Sequence, residues 1–146
     1  MASDKAVIWH APFTTDWVNQ VGRGTLATAL GMECVDIGAD FLRMRMPVDE
    51  RTRQPFGLLH GGASVALGET IGGVASGHVV APGYRVVGLE INANHVRSVR
   101  DGFVTATCRP IHLGRTTHVW DIRVETAEGK LVSIIRLTNA ILPPDD

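Results

Sequence analysis

The 146-residue sequence predicts an α+β fold, in which one long apolar helix packs against a curved antiparallel sheet of five to six strands. The 21-residue run from Gly61 to Ala81 is long enough for such a helix, and Glu69 is its only Asp, Glu, Lys or Arg. Four long extended segments follow and are joined by short turns, which is typical of antiparallel pairing. The sheet needs a cover for its apolar face, and this helix is the only adequate element.

The chain before this helix predicts two short helices and one strand. Helical spacing over residues 14–30 is interrupted and then ended by glycines, at Gly22, Gly24 and Gly31. Residues 41–46 alternate between apolar and polar and end at Pro47, which indicates a half-buried strand. A polar connection over residues 48–56 leads into the long helix.

Beyond the long helix, the chain is extended almost to its end. Pro82-Gly83 predicts a turn, and short turn signals separate the strands that follow. The predicted strands are Tyr84–Val99, Phe103–Leu113, Arg115–Thr126 and Leu131–Leu142. We therefore divide the chain into an N-terminal helical segment of the same domain (1–30), the main domain (31–142) and a short tail (143–146).

Small residues recur along one face of the long helix. Ser64, Gly68 and Gly72 are spaced four residues apart and form a smooth stripe, which lets a curved sheet approach the helix backbone closely. Gly73 and Gly77 are interpreted in the same way, as close-packing positions. One buried helix wrapped by a curved antiparallel sheet is the hot-dog architecture.

Composition and charge argue against several classes of function. Charged residues make up 20% of the chain and apolar residues 45%, as in a globular protein. The net charge of −1, without a long basic run, argues against nucleic acid as a partner. The glycine-rich helix is a poor lipid-facing segment, so we expect no membrane partner. His95, His112 and His118 have no carboxylate or cysteine at ligand spacing, so we expect no metal.

The two cysteines, Cys34 and Cys108, fall in apparent strands without metal or redox spacing. Such residues are interpreted as reduced, structural thiols of a cytoplasmic protein. The first residues lack the charged and apolar regions of a signal peptide, which agrees with that location.

Glu69 is the first candidate for chemistry. An acid inside an apolar helix costs desolvation energy, so such a carboxylate is expected to be either paired or functional. Gly61 and Gly62 begin the helix directly after His60, and the first turn of a helix offers unpaired backbone N–H groups at the positive end of its dipole. A carbonyl oxygen that approaches these glycines finds an oxyanion site, and Glu69 is then a candidate nucleophile or general base.

The spacing of these residues predicts a dimer. Eight residues separate Gly61 from Glu69, which is about 12 Å along a helix and too far for both to act on one carbon. A two-fold dimer with antiparallel central helices brings Glu69 to the Gly61 of the second subunit and creates two equivalent sites. Gln54 is placed to donate its amide to the same oxygen or to hold the acyl group, and His60 either orients the loop or binds substrate.

Two segments carry a resemblance to a known family. The segment from Gln54 to Ser64, taken with Glu69, and the segment from Val87 to Arg97 resemble the hot-dog acyl-CoA thioesterases. The similarity is strongest to the phenylacetate-type branch with 1,4-dihydroxy-2-naphthoyl-CoA and 4-hydroxybenzoyl-CoA thioesterases, and it extends over residues 29–142. The resemblance implies that Glu69 is the catalytic carboxylate and that the Gly61 N–H polarises the thioester carbonyl. It further implies that Gln54 and His60 assist from the opposite subunit and that two dimers form a tetramer.

The resemblance also implies where coenzyme A binds. Its pantetheine and nucleotide are expected along Gly88, His95, Val96, Arg97, Ser98 and Arg100, and along Leu113, Gly114, Arg115 and Thr116. The three arginines of this set suit phosphate groups. No cofactor is expected, since coenzyme A is part of the substrate.

One position departs from the family pattern. Many members carry Ser or Thr one helical turn after the carboxylate, where it positions the attacking water, and this chain has Gly73 there. Thr70, next to Glu69, is the candidate replacement.

The sequence thus predicts a thioesterase that hydrolyses an acyl-CoA, with an aromatic acyl group, to the free acid and coenzyme A. One alternative is a non-catalytic module that binds or senses acyl-CoA, and another is a thioesterase that acts on acyl carrier protein. A hot-dog hydratase or dehydratase is disfavoured because no His/Asp pair stands out.

Overall fold

The computed structural model describes residues 5–145. Its first elements are the short helices α1 (Thr15–Val21) and α2 (Leu26–Ala29). Each begins after a threonine whose hydroxyl accepts a hydrogen bond from a backbone N–H of the first turn, Thr14 for α1 and Thr25 for α2. Gly31 follows with a φ of 70°, which glycine adopts without strain. The two predicted helical pieces are confirmed.

One long helix and six strands make up the rest of the described chain. They are β1 (Glu33–Ile37), β2 (Leu42–Pro47), α3 (Gly61–Val79), β3 (Arg85–His95), β4 (Phe103–Leu113), β5 (Thr117–Thr126) and β6 (Leu131–Leu142). The strands form one sheet in the order β1-β2-β4-β5-β6-β3, and every neighbouring pair is antiparallel. The predicted α+β hot-dog fold, with five to six strands, is confirmed.

Three predicted bounds are too long, each for a local reason. β3 ends at His95. The Val96 N–H still donates to the Val132 carbonyl of β6 at 2.8 Å, but the chain then leaves the sheet, and the Val99 carbonyl accepts a hydrogen bond of 2.7 Å from the Leu59 N–H. β5 begins at Thr117 because a tight turn precedes it, closed by the Gly114 N–H on the Thr117 carbonyl. α3 ends at Val79, since the next residue is extended.

The glycine stripe of α3 lies against the sheet, as predicted. A Cβ atom added to Gly68 would be 3.0 Å from Ile135 Cδ1, and one added to Gly72 would overlap Leu137 Cδ2. Gly73 and Gly77 do not pack in this way, because an added Cβ at either would meet no atom of the described residues within 4 Å. The close-packing interpretation of these two glycines is therefore wrong for a single chain, and α3 has one open face.

No helix within residues 5–145 has the length and hydropathy required to cross a membrane.

A buried polar network fixes the C-terminal half of α3 to the sheet. The Ser76 hydroxyl accepts hydrogen bonds from Trp120 Nε1 at 2.8 Å and Asn139 Nδ2 at 2.9 Å, which occupy both lone pairs. Its own proton is therefore donated to His118 Nδ1, 3.0 Å away. Burial lowers the pKa of His118, with a smaller contribution from His112, so the neutral ring that this network requires is favoured.

The two edges of the sheet differ. At β1, the Asn19 side chain bonds both backbone groups of Cys34, accepting from its N–H at 2.7 Å and donating to its carbonyl at 3.1 Å. At the other edge, β3 carries exposed apolar side chains, with Val87 47% and Leu89 61% accessible. An open apolar edge of this kind is suited to pairing with another strand.

The packing of the stripe predicts how two matched substitutions differ. Gly72→Ala and Gly77→Ala both exchange a helical glycine for alanine, which by itself favours the helix by about 1 kcal/mol. Only Gly72→Ala overpacks the core, because Leu137 is fully buried and has little room to move. We expect the free energy of unfolding in urea to be about 1–3 kcal/mol lower for Gly72→Ala than for Gly77→Ala. Equal stabilities would contradict the tight contact between helix and sheet.

Candidate active site

The N-terminus of α3 has one free backbone donor. His60 Nδ1 accepts a hydrogen bond of 2.8 Å from the Gly62 N–H, and the His60 carbonyl accepts from the N–H groups of Ala63 and Ser64. Among residues 5–145, the Gly61 N–H has no such partner. It therefore remains available, at the positive end of the helix dipole, for the oxygen of a ligand.

His60 acts as the N-cap of α3 in this structure. Because Nδ1 accepts from the Gly62 N–H, the proton of the neutral ring is on Nε2, which is the outward side of an exposed side chain. The sequence left two roles open for His60, to orient the loop or to bind substrate. This contact supports the first. A contact between His60 and substrate stays a prediction.

The His95 ring lies directly over Gly61. A Cβ atom added to Gly61 would come within 2.7 Å of His95 Nε2, while His95 Nδ1 lies 2.8 Å from Ser133 Oγ. We expected glycine here to leave space for a carbonyl oxygen. The structure shows that the same space also admits an imidazole ring, which brings a residue predicted to bind coenzyme A to the helix terminus.

One cleft of about 410 Å³ joins the two segments that carry the family resemblance. It is lined by the predicted site residues Gln54, Gly61, His95, Val96, Arg97 and Ser98, and also by Ser64 and Ser133. Gln54 Oε1 accepts a hydrogen bond from the Phe56 N–H, so this side chain also braces its own loop. The amide NH₂ of Gln54 has no partner among the described residues and remains free to donate.

Glu69 is exposed in the single chain, so the expectation of a buried carboxylate is wrong at this level. The Glu69 side chain is accessible to solvent because no element of the chain covers this part of α3. It makes no hydrogen bond or ion pair with any residue from 5 to 145. It is thus not a structurally paired acid. Its carboxylate lies against β3 at Gly88, where an added Cβ would overlap Oε1. Gly88, predicted to contact coenzyme A, makes room for Glu69 in this structure.

Three other residues predicted to bind coenzyme A lie far from this cleft. Leu113, Gly114 and Arg115 line a second cleft of about 340 Å³ at the other end of α3, next to Val79. The 18 residues from Gly61 to Val79 correspond to about 27 Å, so one chain does not bring the two groups together. Two further predicted residues make backbone contacts outside the two clefts. The Thr116 carbonyl accepts from the Ile141 N–H, and the Arg100 carbonyl accepts from the Arg53 guanidinium.

Thr70 lines a third cavity, of about 240 Å³, between α3 and the two short helices. Nearly all of its surface is apolar, and it is formed with Trp17, Val18, Val21, Met44 and Val74 among others. Water positioning by Thr70 stays a prediction. Val21, Val74 and Ser133 were not predicted as site residues, because apolar residues at helical spacing and a serine within a strand have the pattern of ordinary core positions.

The cysteines are unsuited to catalysis. Both are buried and free of disulfides. Burial raises the pKa of Cys34 to about 11 and raises that of Cys108 well above its usual value, so neither forms the reactive thiolate readily. No group of three His, Cys, Asp or Glu side chains within the described residues is arranged to hold a metal ion.

Comparison with known proteins identifies the family. The model of the thioesterase superfamily matches residues 56–133. The chain is 50% identical to the 1,4-dihydroxy-2-naphthoyl-CoA hydrolase of Escherichia coli, over 93% of this chain and 100% of the relative. It is 44% identical to the proofreading thioesterase EntH of Cronobacter turicensis, over 93% and 99%. The crystal structure of a Haemophilus influenzae thioesterase superposes with a TM-score of 0.93 at 47% identity, covering 95% of this chain and 97% of that one.

The chain therefore belongs to the thioesterase superfamily, and its fold is that of the hot-dog thioesterases. Thioester hydrolysis is the class of activity that these relatives support. The resemblance drawn from the Gln54–Ser64 and Val87–Arg97 segments is confirmed at this level.

The N-cap contact predicts a separation of two roles of His60. His60→Ala removes the acceptor for the Gly62 N–H and is expected to lower the free energy of unfolding by about 1 kcal/mol. His60→Asn supplies a new acceptor at the cap and is expected to restore most of that stability. Turnover is to be measured on both variants. Low turnover by a stable His60→Asn protein would show that the imidazole also contacts substrate, and full turnover would limit His60 to the cap.

Proposed function

We propose that two copies of this chain form a dimer that hydrolyses acyl-CoA thioesters with an aromatic acyl group, releasing the free acid and coenzyme A. One observation carries the proposal. The Gly61 N–H and the Glu69 carboxylate are both unpaired among the described residues, and both belong to α3. A free hydrogen-bond donor can stabilise the oxyanion of thioester hydrolysis, and a free carboxylate can act as its nucleophile or general base.

The separation of these groups supports a dimer. Along the uninterrupted helix, Glu69 is about 12 Å from Gly61, which is too far for one carbonyl carbon. A two-fold axis that passes beside the helix, perpendicular to it and level with the midpoint between these residues, places the Glu69 of one chain beside the Gly61 of the other.

The open edge of the sheet supports the same assembly. If two β3 strands pair antiparallel across the two-fold axis, the two sheets become continuous and the two α3 helices lie side by side. Val87 and Leu89, which are exposed in one chain, then gain apolar cover. Glu69, which lies against β3, is then close to the interface.

The chemistry follows from this pairing. The thioester carbonyl oxygen accepts from the Gly61 N–H of one subunit, with the Gln54 amide as a further donor in the same cleft. The Glu69 carboxylate of the second subunit either attacks the carbonyl carbon or removes a proton from an attacking water. The C–S bond then breaks and its electron pair leaves on the coenzyme A thiolate, a good leaving group that needs no dedicated acid. If Glu69 attacks, it becomes joined to the acyl group as a mixed anhydride, and water then cleaves that anhydride to release the acid and restore the carboxylate. If Glu69 acts as a base, water adds to the carbonyl directly, so one water molecule is consumed by either route.

The same axis brings the two groups of coenzyme A residues closer together. Antiparallel helices place the C-terminal end of one α3 beyond the N-terminal end of the other. Leu113, Gly114 and Arg115 of one chain then extend the cleft that contains Arg97 of the second chain. In this arrangement coenzyme A spans two subunits, and arginines from both are available to its phosphates.

The apolar cavity beside Thr70 supports an aromatic acyl group. Its volume is about 240 Å³, and Val74 lies one to two turns beyond Glu69 on the same helix. An engineered apolar cavity of about 150 Å³ holds benzene, so a mono- or bicyclic ring is compatible with the space.

The free, buried thiols Cys34 and Cys108 support a reducing compartment, and we place the reaction in the cytoplasm.

Mixed dimers test the shared site. Glu69→Gln alone is expected to lower kcat by at least about 10²-fold, as loss of a direct catalytic group does. Gln54→Ala alone is expected to lower kcat/KM by about 10²-fold, as loss of an oxyanion donor does. When the two inactive proteins are unfolded, mixed in equal amounts and refolded together, about a quarter of the wild-type activity should return, because half of the dimers are mixed and each has one intact site.

A site built within one subunit would give no recovery in this experiment, since every subunit then has a lesion. Separate refolding of each variant is the control. Near-normal turnover by Glu69→Gln alone would remove Glu69 from the mechanism.

Filling the apolar cavity tests whether an aromatic acyl group binds there. Val74→Trp is expected to lower kcat/KM for benzoyl-CoA at least about tenfold relative to acetyl-CoA, because only the ring needs the cavity. The acetyl-CoA rate of the same variant is the internal control for folding. An equal loss on both substrates would exclude this cavity as the acyl site. Wild-type preference for an aryl carrier protein thioester over aryl-CoA would change the assigned carrier but leave the reaction intact.

A further inference from the structure

The contact between His95 and Ser133 is not explained by a role of His95 in coenzyme A binding. The two residues are directly opposed across β3 and β6, and His95 Nδ1 lies 2.8 Å from Ser133 Oγ. Ser133 is fully buried, although His95 itself is exposed at the cleft. Within the described residues, Ser133 Oγ has no other hydrogen-bond partner.

This contact determines which imidazole nitrogen carries the proton. A buried hydroxyl proton without an acceptor is costly, whereas an oxygen with an unused lone pair is better tolerated. Ser133 therefore donates its proton to His95 Nδ1, the acceptor within reach. A neutral imidazole that accepts at Nδ1 has its proton on Nε2, so His95 offers an N–H at the opposite side of its ring.

The Nε2–H group lies at the N-terminus of α3. A Cβ atom on Gly61 would be 2.7 Å from His95 Nε2, and both residues line the same cleft. Neither the Gly61 N–H nor His95 Nε2 has a hydrogen-bond partner among residues 5–145. Two free donors, one from the backbone and one from a side chain, are therefore adjacent at the surface of one cleft.

We propose that His95 Nε2 donates a second hydrogen bond to the carbonyl oxygen held by the Gly61 N–H, and that Ser133 positions the ring and fixes its tautomer. The proposal rests on the proposed thioester hydrolysis, and it assigns His95 to the reacting carbonyl instead of to coenzyme A. The carbonyl oxygen gains negative charge as the carbon becomes tetrahedral, so both hydrogen bonds strengthen in the transition state.

Kinetics of His95 variants test the first part. His95→Ala is expected to lower kcat by about 10²-fold, as the loss of one oxyanion donor does, with the dissociation constant of free coenzyme A unchanged. His95→Gln retains an N–H donor and is expected to recover part of that rate. Coenzyme A binding is measured by isothermal titration calorimetry, and urea unfolding shows that each variant folds. A weaker affinity for coenzyme A with unchanged kcat would overturn the proposal in favour of a binding role.

Ser133→Ala tests the positioning role by spectroscopy and kinetics together. In protein labelled with ¹⁵N-histidine, the wild-type His95 signal is expected to be that of the Nε2–H tautomer, and Ser133→Ala is expected to show a mixture of both tautomers. The same variant is expected to lose about tenfold in kcat, because the donor is no longer held in place.

Ser76→Ala is the matched control, since it also removes a buried serine hydroxyl bonded to a histidine Nδ1, but at the other end of α3. It is expected to lower stability without changing kcat. If Ser133→Ala likewise lost stability and kept both kcat and the Nε2–H tautomer, Ser133 would be structural and the positioning role would be wrong.

Wild-type protein that turns over no thioester would overturn the proposed function, and this inference with it. Wild-type turnover with a normal kcat in His95→Ala would overturn this inference alone.

Discussion

The close approach of α3 to the sheet is the constraint on which the rest of this structure depends. Gly68 and Gly72 lie where any side chain would meet Ile135 or Leu137, so the helix backbone rests almost directly on the sheet. The Ser76 hydroxyl, saturated by three buried partners, then fixes the rotation of the helix about its own axis. Because one face is held in this way, Gly73 and Gly77 lie on the side of the helix that is left open, and Glu69 lies where that side borders β3.

The two ends of the same helix contribute differently to the site. At the N-terminus, capping by His60 satisfies the Gly62 N–H and leaves that of Gly61 unpaired. The helix dipole favours negative charge there, whereas a carboxylate in the middle of the helix gains little from the dipole. Glu69 is thus not held by the donors of its own helix, and in the proposed dimer it faces those of a neighbouring subunit.

Local pattern was sufficient to predict most of the fold. The alternation within β4 and β6 predicted the bounds of both strands, and the run of apolar residues from Gly61 predicted where α3 begins, because short-range periodicity determines such elements. The predicted β3 was too long, because residues 96–99 contain no turn signal. The Val96 N–H still bonds β6 and the Val99 carbonyl bonds Leu59, and neither contact follows from the local pattern.

The candidate site was predicted in part. Gln54, His60, Gly61 and Glu69 stand in a recognisable motif, whereas the solvent exposure of Glu69 depends on which face of α3 the sheet covers. No pattern in the neighbouring sequence marked Ser133 as a site residue. Its contact with His95 arises from the register of β3 on β6, which a single sequence does not specify. Residues that act through a neighbour in another strand are in general invisible to patterns along the chain.

The unequal edges of the sheet also limit how many chains can join. At β1, the Asn19 amide occupies the hydrogen-bonding groups of Cys34 and interrupts the row that an incoming strand would use. Growth by strand addition is therefore favoured only at β3. Two chains that join through the same edge leave no free β3 edge on either, so this mode of association stops at two. A sheet with two usable edges would instead extend indefinitely as a fibre, and a single asparagine side chain on α1 helps to keep the proposed assembly finite.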